Sequence, residues 1–72
     1  MSNVNLNIGG YKVRIKVQYD ALAGGYNAYA LMNSSWSSFG ETKEEAISLL
    51  TNNLLVYVDE IKEKIENEKT IS

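Results

Sequence analysis

Three basic residues stand at every second position of one short segment: Lys12, Arg14 and Lys16, in the run YKVRIKVQY. Alternate side chains of an extended strand point to the same face, so this spacing predicts a row of cations along one side of a sheet. Such a row can bind phosphate or carboxylate groups, and neighbouring aromatic rings such as Tyr29 or Trp36 would stack on a planar ligand. The alternative is a solvated strand face whose basic residues discourage pairing with another strand.

The serine-rich run NSSWSSFG contains two further residues of interest, Trp36 and Phe39. Large aromatic side chains at a surface are common anchors of protein–protein interfaces, so both are candidate binding residues. The alternative is that they close one end of a small hydrophobic core, which a chain of 72 residues needs. The sequence leaves both interpretations open.

Leu49 and Val56 are seven positions apart in the C-terminal half and lie off the main apolar stripe of that region. Seven residues correspond to about two helical turns, so both side chains would lie on one side of a helix. This spacing predicts a second apolar seam against another copy of the chain. The alternative is packing of both residues against the edge of the sheet.

The residue types that most catalytic and metal sites require are missing, since the chain contains neither histidine nor cysteine. The serines therefore have no histidine to activate them, and thiolate or imidazole metal sites are excluded. Neither glycine pair extends into a glycine-rich loop that opens a helix, as phosphate-binding loops do. We expect no enzymatic activity, no metal and no cofactor.

The N-terminal half is predicted to form the strands that carry the cations. Period-two alternation indicates strands at residues 3–8, 11–19 and 26–32, with a short fourth strand at 35–39. Gly9-Gly10 and Gly24-Gly25 lie between the first three segments. Glycine pairs suit tight hairpin turns, because those turns need positive φ.

The C-terminal half is predicted to form one helix over residues 43–67. Thr42 is the expected N-cap, and Glu45 completes a capping box in which each side chain bonds the backbone N–H of the other residue. Apolar residues at spacings of three and four then form a core-facing stripe: Ala46, Ile47, Leu50, Leu54, Tyr57, Val58, Ile61 and Ile65. The expected fold is α+β: an antiparallel three- to four-stranded sheet covered on one face by a single long C-terminal helix.

The chain is short enough to form one domain over residues 1–72, with a marginal core. Because disulfides and common metal ligands are absent, we expect a homo-oligomer, most simply a two-fold dimer. Residues 1–40 carry three cations and one acid (+2), whereas residues 41–72 carry four lysines and eight acids (−4). The two halves should therefore present different faces to partners.

The distribution of apolar residues gives an expectation about location. No apolar run approaches the roughly 18 residues of a membrane span. The N-terminus lacks the basic and then apolar pattern of a secretory signal. We therefore expect a cytoplasmic protein.

The run GGYNAYALMNSSWSSFGETKEEA, residues 24–46, resembles the HicB-type antitoxin domain. That family has a Gly-Gly-Tyr strand start and a Gly-x-Thr-x-x-Glu-Ala helix start, separated by the same spacing as here. The matching positions are Gly24, Gly25, Tyr26, Gly40, Thr42, Glu45 and Ala46. Residues 31–36 read LMNSSW where the family has Pro-Asp-Leu-Pro-Gly-Cys. The resemblance spans roughly residues 10–66.

The resemblance implies a module that binds and inhibits a partner protein. That partner would be a small ribonuclease toxin of the HicA type or a defence nuclease. Many members of the family carry a C-terminal DNA-binding domain, but this chain stops after its helix, so we expect a stand-alone sheet-plus-helix module without a DNA-binding domain. A second hypothesis is an oligomer that binds or sequesters a nucleotide-like anion, lined by Lys12, Arg14, Lys16, Tyr29 and Trp36. A third is a weak nucleic-acid-binding sheet, although the net charge of −2 disfavours nucleic acid as a partner.

Overall fold

The computed structural model describes residues 2–71, with side chains for residues 3–67. The described residues form an antiparallel four-stranded sheet followed by two helices, which confirms the α+β class and the predicted sheet. The elements are β1 (Ser2–Ile8), β2 (Tyr11–Asp20), β3 (Gly25–Ala30), β4 (Asn33–Gly40), α1 (Lys43–Leu55) and α2 (Val58–Ile71).

The strands lie in the order β1-β2-β3-β4, and each pairs with the next along the chain. The β1–β2 connection is the two-residue turn predicted from Gly9-Gly10. Both glycines have positive φ, +59° and +91°, as this kind of hairpin turn requires. The Asn7 Oδ1 accepts the Gly10 N–H at 2.9 Å and so fixes the turn.

The pairing of β3 with β4 contains a bulge that changes which way the following side chains point. Tyr29 pairs with Ser37, but the next residue, Ala30, pairs with Asn33. Residues 34–36 therefore have no partners on β3. The Asn33 Oδ1 accepts from both the backbone N–H and the hydroxyl of Ser35, at 3.1 and 2.7 Å, and holds this segment in place.

The core lies between the sheet and the helices. α1 packs mainly on β3 and β4. Ala28 and Ala30 on β3 and Ala46 on α1 are small, which lets the helix lie close to the sheet. The described apolar residues that are buried are Ile8, Val13, Ile15, Val17, Ala28, Ala30, Trp36, Ala46, Leu50, Leu54 and Ile61.

The prediction of a single long helix over residues 43–67 is wrong, because α1 ends at Leu55 and α2 begins at Val58. The N–H groups of Val56 and Tyr57 donate to carbonyls three residues earlier, those of Asn53 (3.3 Å) and Leu54 (2.9 Å). The backbone therefore tightens into a short 3₁₀ turn. β-Branched and aromatic residues have modest helix propensity, so Val56, Tyr57 and Val58 favour a continuous α-helix only weakly.

The turn between α1 and α2 lets α2 pack against the end of the β1–β2 hairpin. β2 pairs with β3 only from Ile15 onward, so the hairpin extends past the last paired residue of β3. Val58 packs against Gly9 at the hairpin tip, and Ile61 is buried. Neither helix within residues 2–71 is long and apolar enough to cross a membrane.

The junction between β4 and α1 confirms the predicted N-cap. The Thr42 Oγ1 accepts the Glu45 N–H at 3.1 Å. The Glu45 carboxylate reaches back to the N–H of Glu41, at 3.2 Å, one residue before the predicted partner. Gly40 has no room for a side chain, because a Cβ there would lie 2.9 Å from the Cα of Ala46. The glycine and the alanine therefore let the strand end and the helix start touch.

Candidate interaction surfaces

The face of the sheet that points away from the helices, called here the open face, carries the predicted cations. Lys12 and Arg14 are exposed and Lys16 is half-buried. Asp20 is the one acid in residues 1–40, and its carboxylate is occupied at the far end of β2. It accepts the N–H groups of Leu22 (3.1 Å) and Ala23 (3.2 Å) and the side-chain amide of Asn27 (3.1 Å). The open face is therefore positively charged.

Cross-strand pairing places Tyr29 at the centre of the open face. Lys16 pairs with Tyr29, and Tyr29 pairs with Ser37. Directly opposite residues have their Cβ atoms about 4.5–5.5 Å apart, so the Lys16 side chain lies beside the Tyr29 side chain. Asparagines 3, 5 and 7 alternate along β1 on the same face and add neutral hydrogen-bonding groups. This arrangement suits an acidic or phosphate-bearing surface.

Phe39 also lies on the open face, at the β4 side. It pairs with Asn27, and its ring covers Gly25, where an added Cβ would collide with the ring. The side chain is nevertheless 41% exposed. Phe39 therefore protects a glycine in the strand and also offers an aromatic surface to a partner.

Trp36 is on the opposite side of the sheet from the cations, so the structure divides the six predicted binding residues. Its side chain is only 8% exposed and stacks on Tyr57, with ring centroids 5.3 Å apart and planes 17° apart. The bulge at residues 34–36 explains the division, since it resets the alternation before Ser37. Lys12, Arg14, Lys16, Tyr29 and Phe39 share the open face, whereas Trp36 closes the core.

A cleft of about 360 Å³ lies where the open face meets α2, and it is called here the end cleft. Its lining residues are Lys12, Arg14, Leu31, Met32 and Ile65. Two cations thus stand beside an apolar floor supplied by the β3–β4 turn and α2. Leu31, Met32 and Ile65 were not among the predicted binding residues. The spacing of apolar residues within one strand or helix does not show which elements meet at the end of a sheet.

A second groove, of about 310 Å³, lies along the outer edge of β4. Its lining residues are Ser35, Trp36, Ser37, Asn53, Val56 and Tyr57. The Asn53 side-chain amide donates to the Ser38 hydroxyl at 3.0 Å, so this side of α1 lies over β4. The groove, called here the β4-edge groove, therefore has a strand on one side and a helix on the other.

One residue of the predicted seam, Val56, lines this groove. Leu49 lies on α1 four positions before Asn53 and so shares the side of the helix that carries Asn53, whereas Val56 directly follows the last residue of α1. Leu49 is 44% exposed and Val56 is 79% exposed, so neither is covered by its own sheet. The sequence identified an apolar strip, and the structure places that strip beside a free strand edge.

No group of three or more acidic, histidine or cysteine residues in the described part of the chain is arranged to hold a metal ion. No family model matches the chain, and no curated protein or solved structure is significantly similar to it.

Proposed function

We propose that this protein is a non-catalytic interaction module that binds and inhibits a partner protein, in the manner of a HicB-type antitoxin. One observation carries the proposal: the face of the sheet that points away from the helices presents Lys12, Arg14 and Lys16 in one row, with Tyr29 beside Lys16. The partner in this proposal is a small toxin or a defence nuclease with an acidic surface. Such partners act in the cytoplasm, which is therefore the proposed location.

The physical basis is electrostatic complementarity combined with aromatic anchoring. Rows of like charge steer an oppositely charged partner and discriminate against wrong ones. Tyr29 and Phe39 add large, rigid contact area at the centre and side of the same face, where anchors of binding energy are usually aromatic. Nothing in this arrangement requires a chemical step on the partner, so inhibition would follow from covering its active surface.

The experiment is capture of the partner by tagged protein from cells that encode it, followed by an assay of the captured partner's nuclease activity. Arg14→Glu reverses one charge at the centre of the cation row, on an exposed side chain. Lys62→Glu makes the same charge change on the exposed side of α2 and serves as the matched control. Loss of capture with Arg14→Glu but not with Lys62→Glu supports the proposal. Equal capture by both variants contradicts the role of the open face.

A second candidate function, sequestration of a nucleotide-like anion, has its own observation in the end cleft. Lys12 and Arg14 would hold phosphate groups while Leu31, Met32 and Ile65 cover an apolar or planar moiety. Native mass spectrometry of protein purified from cells would show a copurifying small anion. Met32→Glu distinguishes the two functions, because it places an acid in the cleft and leaves the centre of the open face intact. It should abolish retention of the anion and spare capture of a protein partner.

The third hypothesis, a nucleic-acid platform, keeps only part of its predicted aromatic set. Tyr29 and Phe39 lie on the open face with the cations, whereas Trp36 lies buried against Tyr57 on the other side of the sheet. The net charge of −2 also disfavours a polyanionic partner. We therefore do not propose nucleic acid as the partner.

A further inference from the structure

The outer edge of β4 is a free strand edge whose backbone groups can be assigned. The Leu31 N–H donates to the Arg14 carbonyl of β2 at 3.0 Å. Backbone groups of an antiparallel strand bond its two neighbours at alternate residues, so Tyr26 and Ala28 of β3 bond β4. Their partners on β4 are Gly40 and Ser38, whose N–H and C=O groups therefore point towards β3. The N–H and C=O groups of Ser37 and Phe39 consequently point outward from the sheet.

β4 lacks the features that proteins commonly use to protect a free edge. Its sequence, NSSWSSFG, contains no charged residue and no proline. The bulge at residues 34–36 lies at one end of the strand and leaves residues 37–40 regularly paired with β3. This half of β4 is therefore competent to pair with another strand.

We propose that the occupant of this edge is a second copy of the chain, paired through β4 in antiparallel orientation about a two-fold axis. The two four-stranded sheets would then form one continuous sheet. The same surface of each copy meets itself, as a two-fold dimer requires. This inference is independent of what binds the open face.

Apolar side chains border the free edge on both faces of the sheet. Val56 lies beside Ser35 and Ser37 on the helix side. Leu49 lies one helical turn before Asn53, which bonds Ser38, and Phe39 lies on the open face. A stable interface buries about 800 Å² per partner, roughly a sixth of the 4841 Å² accessible surface of this chain. Strand pairing alone covers less than this, so we infer that Leu49 and Val56 pack across the axis against their counterparts.

The charge distribution favours pairing through β4 over pairing through β1. Neighbouring strands lie about 4.8 Å apart, so pairing through β4 keeps the two cation rows on β2 roughly 24 Å apart. Pairing through β1 would bring the same rows within roughly 14 Å. The screening length at physiological salt is about 8 Å, so repulsion between the rows is weaker in the β4 dimer.

The test is the mass in solution, measured by light scattering during size-exclusion chromatography over a range of protein concentrations. Ser37→Pro removes an outward-pointing N–H and leaves the bonds to β3 in place, since proline is tolerated on an edge strand. Asn5→Pro is the matched control, because the Asn5 N–H points outward from the β1 edge by the same alternation. Val56→Asp adds a charge to the seam at an exposed position and does not depend on tolerance of proline.

We expect a dimer for the parent chain and for Asn5→Pro. Ser37→Pro and Val56→Asp should each raise the dimer dissociation constant by at least about tenfold. Circular dichroism should show that all variants are folded. A parent chain that stays monomeric overturns the inference and leaves the edge for a different protein. A dimer that survives both Ser37→Pro and Val56→Asp, or one that Asn5→Pro disrupts, overturns the assignment to β4.

Discussion

The contact between the end of β4 and the start of α1 predicts that Gly40→Ala is strongly destabilising. A Cβ at Gly40 would collide with the backbone nitrogen of Ala46 and lie 2.9 Å from both the Ala46 Cα and the Glu45 carbonyl carbon. Carbon atoms pack best at about 3.5–4.0 Å, so the first turn of α1 would have to retreat by about 1 Å. The obstacle is backbone, which has no rotamer to change.

The expected loss follows from two opposing terms. Inserting a methyl group into a well-packed site costs about 1–3 kcal/mol, and replacing glycine by alanine restricts the unfolded chain and returns about 0.4–1 kcal/mol. Because the obstacle is rigid, we expect the upper part of this range, a net loss of about 2 kcal/mol in the free energy of unfolding. Domains have about 0.05–0.15 kcal/mol of stability per residue, so roughly a fifth to a half of the total would be lost.

The assay is urea unfolding followed by far-ultraviolet circular dichroism. The control is Gly24→Ala, where φ is +74° and nothing lies within 4 Å of an added Cβ. That variant isolates the cost of left-handed backbone, about 1 kcal/mol. A loss below about 0.5 kcal/mol for Gly40→Ala, or a smaller loss than for Gly24→Ala, would refute the steric argument, because a rigid backbone obstacle should produce a net loss of about 2 kcal/mol.

Three further substitutions test individual contacts. Thr42→Ala should cost about 1 kcal/mol in urea unfolding through loss of the N-cap, and an unchanged unfolding midpoint would contradict the cap. Asp20→Ala removes an acceptor of three hydrogen bonds and should cost about 1–2 kcal/mol, whereas Asp20→Asn keeps an acceptor oxygen and should cost less. Tyr57→Ala removes the ring stacked on Trp36 and should cost about 1 kcal/mol; unshifted tryptophan fluorescence would argue against the stack.

The elements that sequence predicted best are those set by local chemistry. The β1–β2 turn follows from two adjacent glycines, and the start of α1 follows from Thr42 and Glu45. Each depends on residues within a few positions of one another. The buried residues of β2 likewise follow from simple alternation, and Val13, Ile15 and Val17 are all buried.

The predictions that failed, and the features that were missed, depend on contacts between distant elements. The apolar period continues through Tyr57 and Val58, so periodicity predicted one helix, whereas the backbone tightens at Val56 and Tyr57. Trp36 and Phe39 are three positions apart, so alternation alone puts them on opposite faces. The bulge decides that Trp36 faces the core and Phe39 the open face. Neither the bulge nor the end cleft alters the spacing of apolar residues in the sequence, so neither could be predicted from that spacing.

The strand order β1-β2-β3-β4 has a consequence for how quickly the chain folds. Each strand pairs with its neighbour in sequence, and α1 packs mainly on the two strands that immediately precede it. Each of these contacts therefore closes a short loop, and the conformational entropy lost in closing it is small. Topologies dominated by such local contacts fold faster than sheets built from distant segments. We expect a fast folding phase that does not depend on protein concentration in stopped-flow measurements, and no phase limited by proline isomerisation because the chain has no proline.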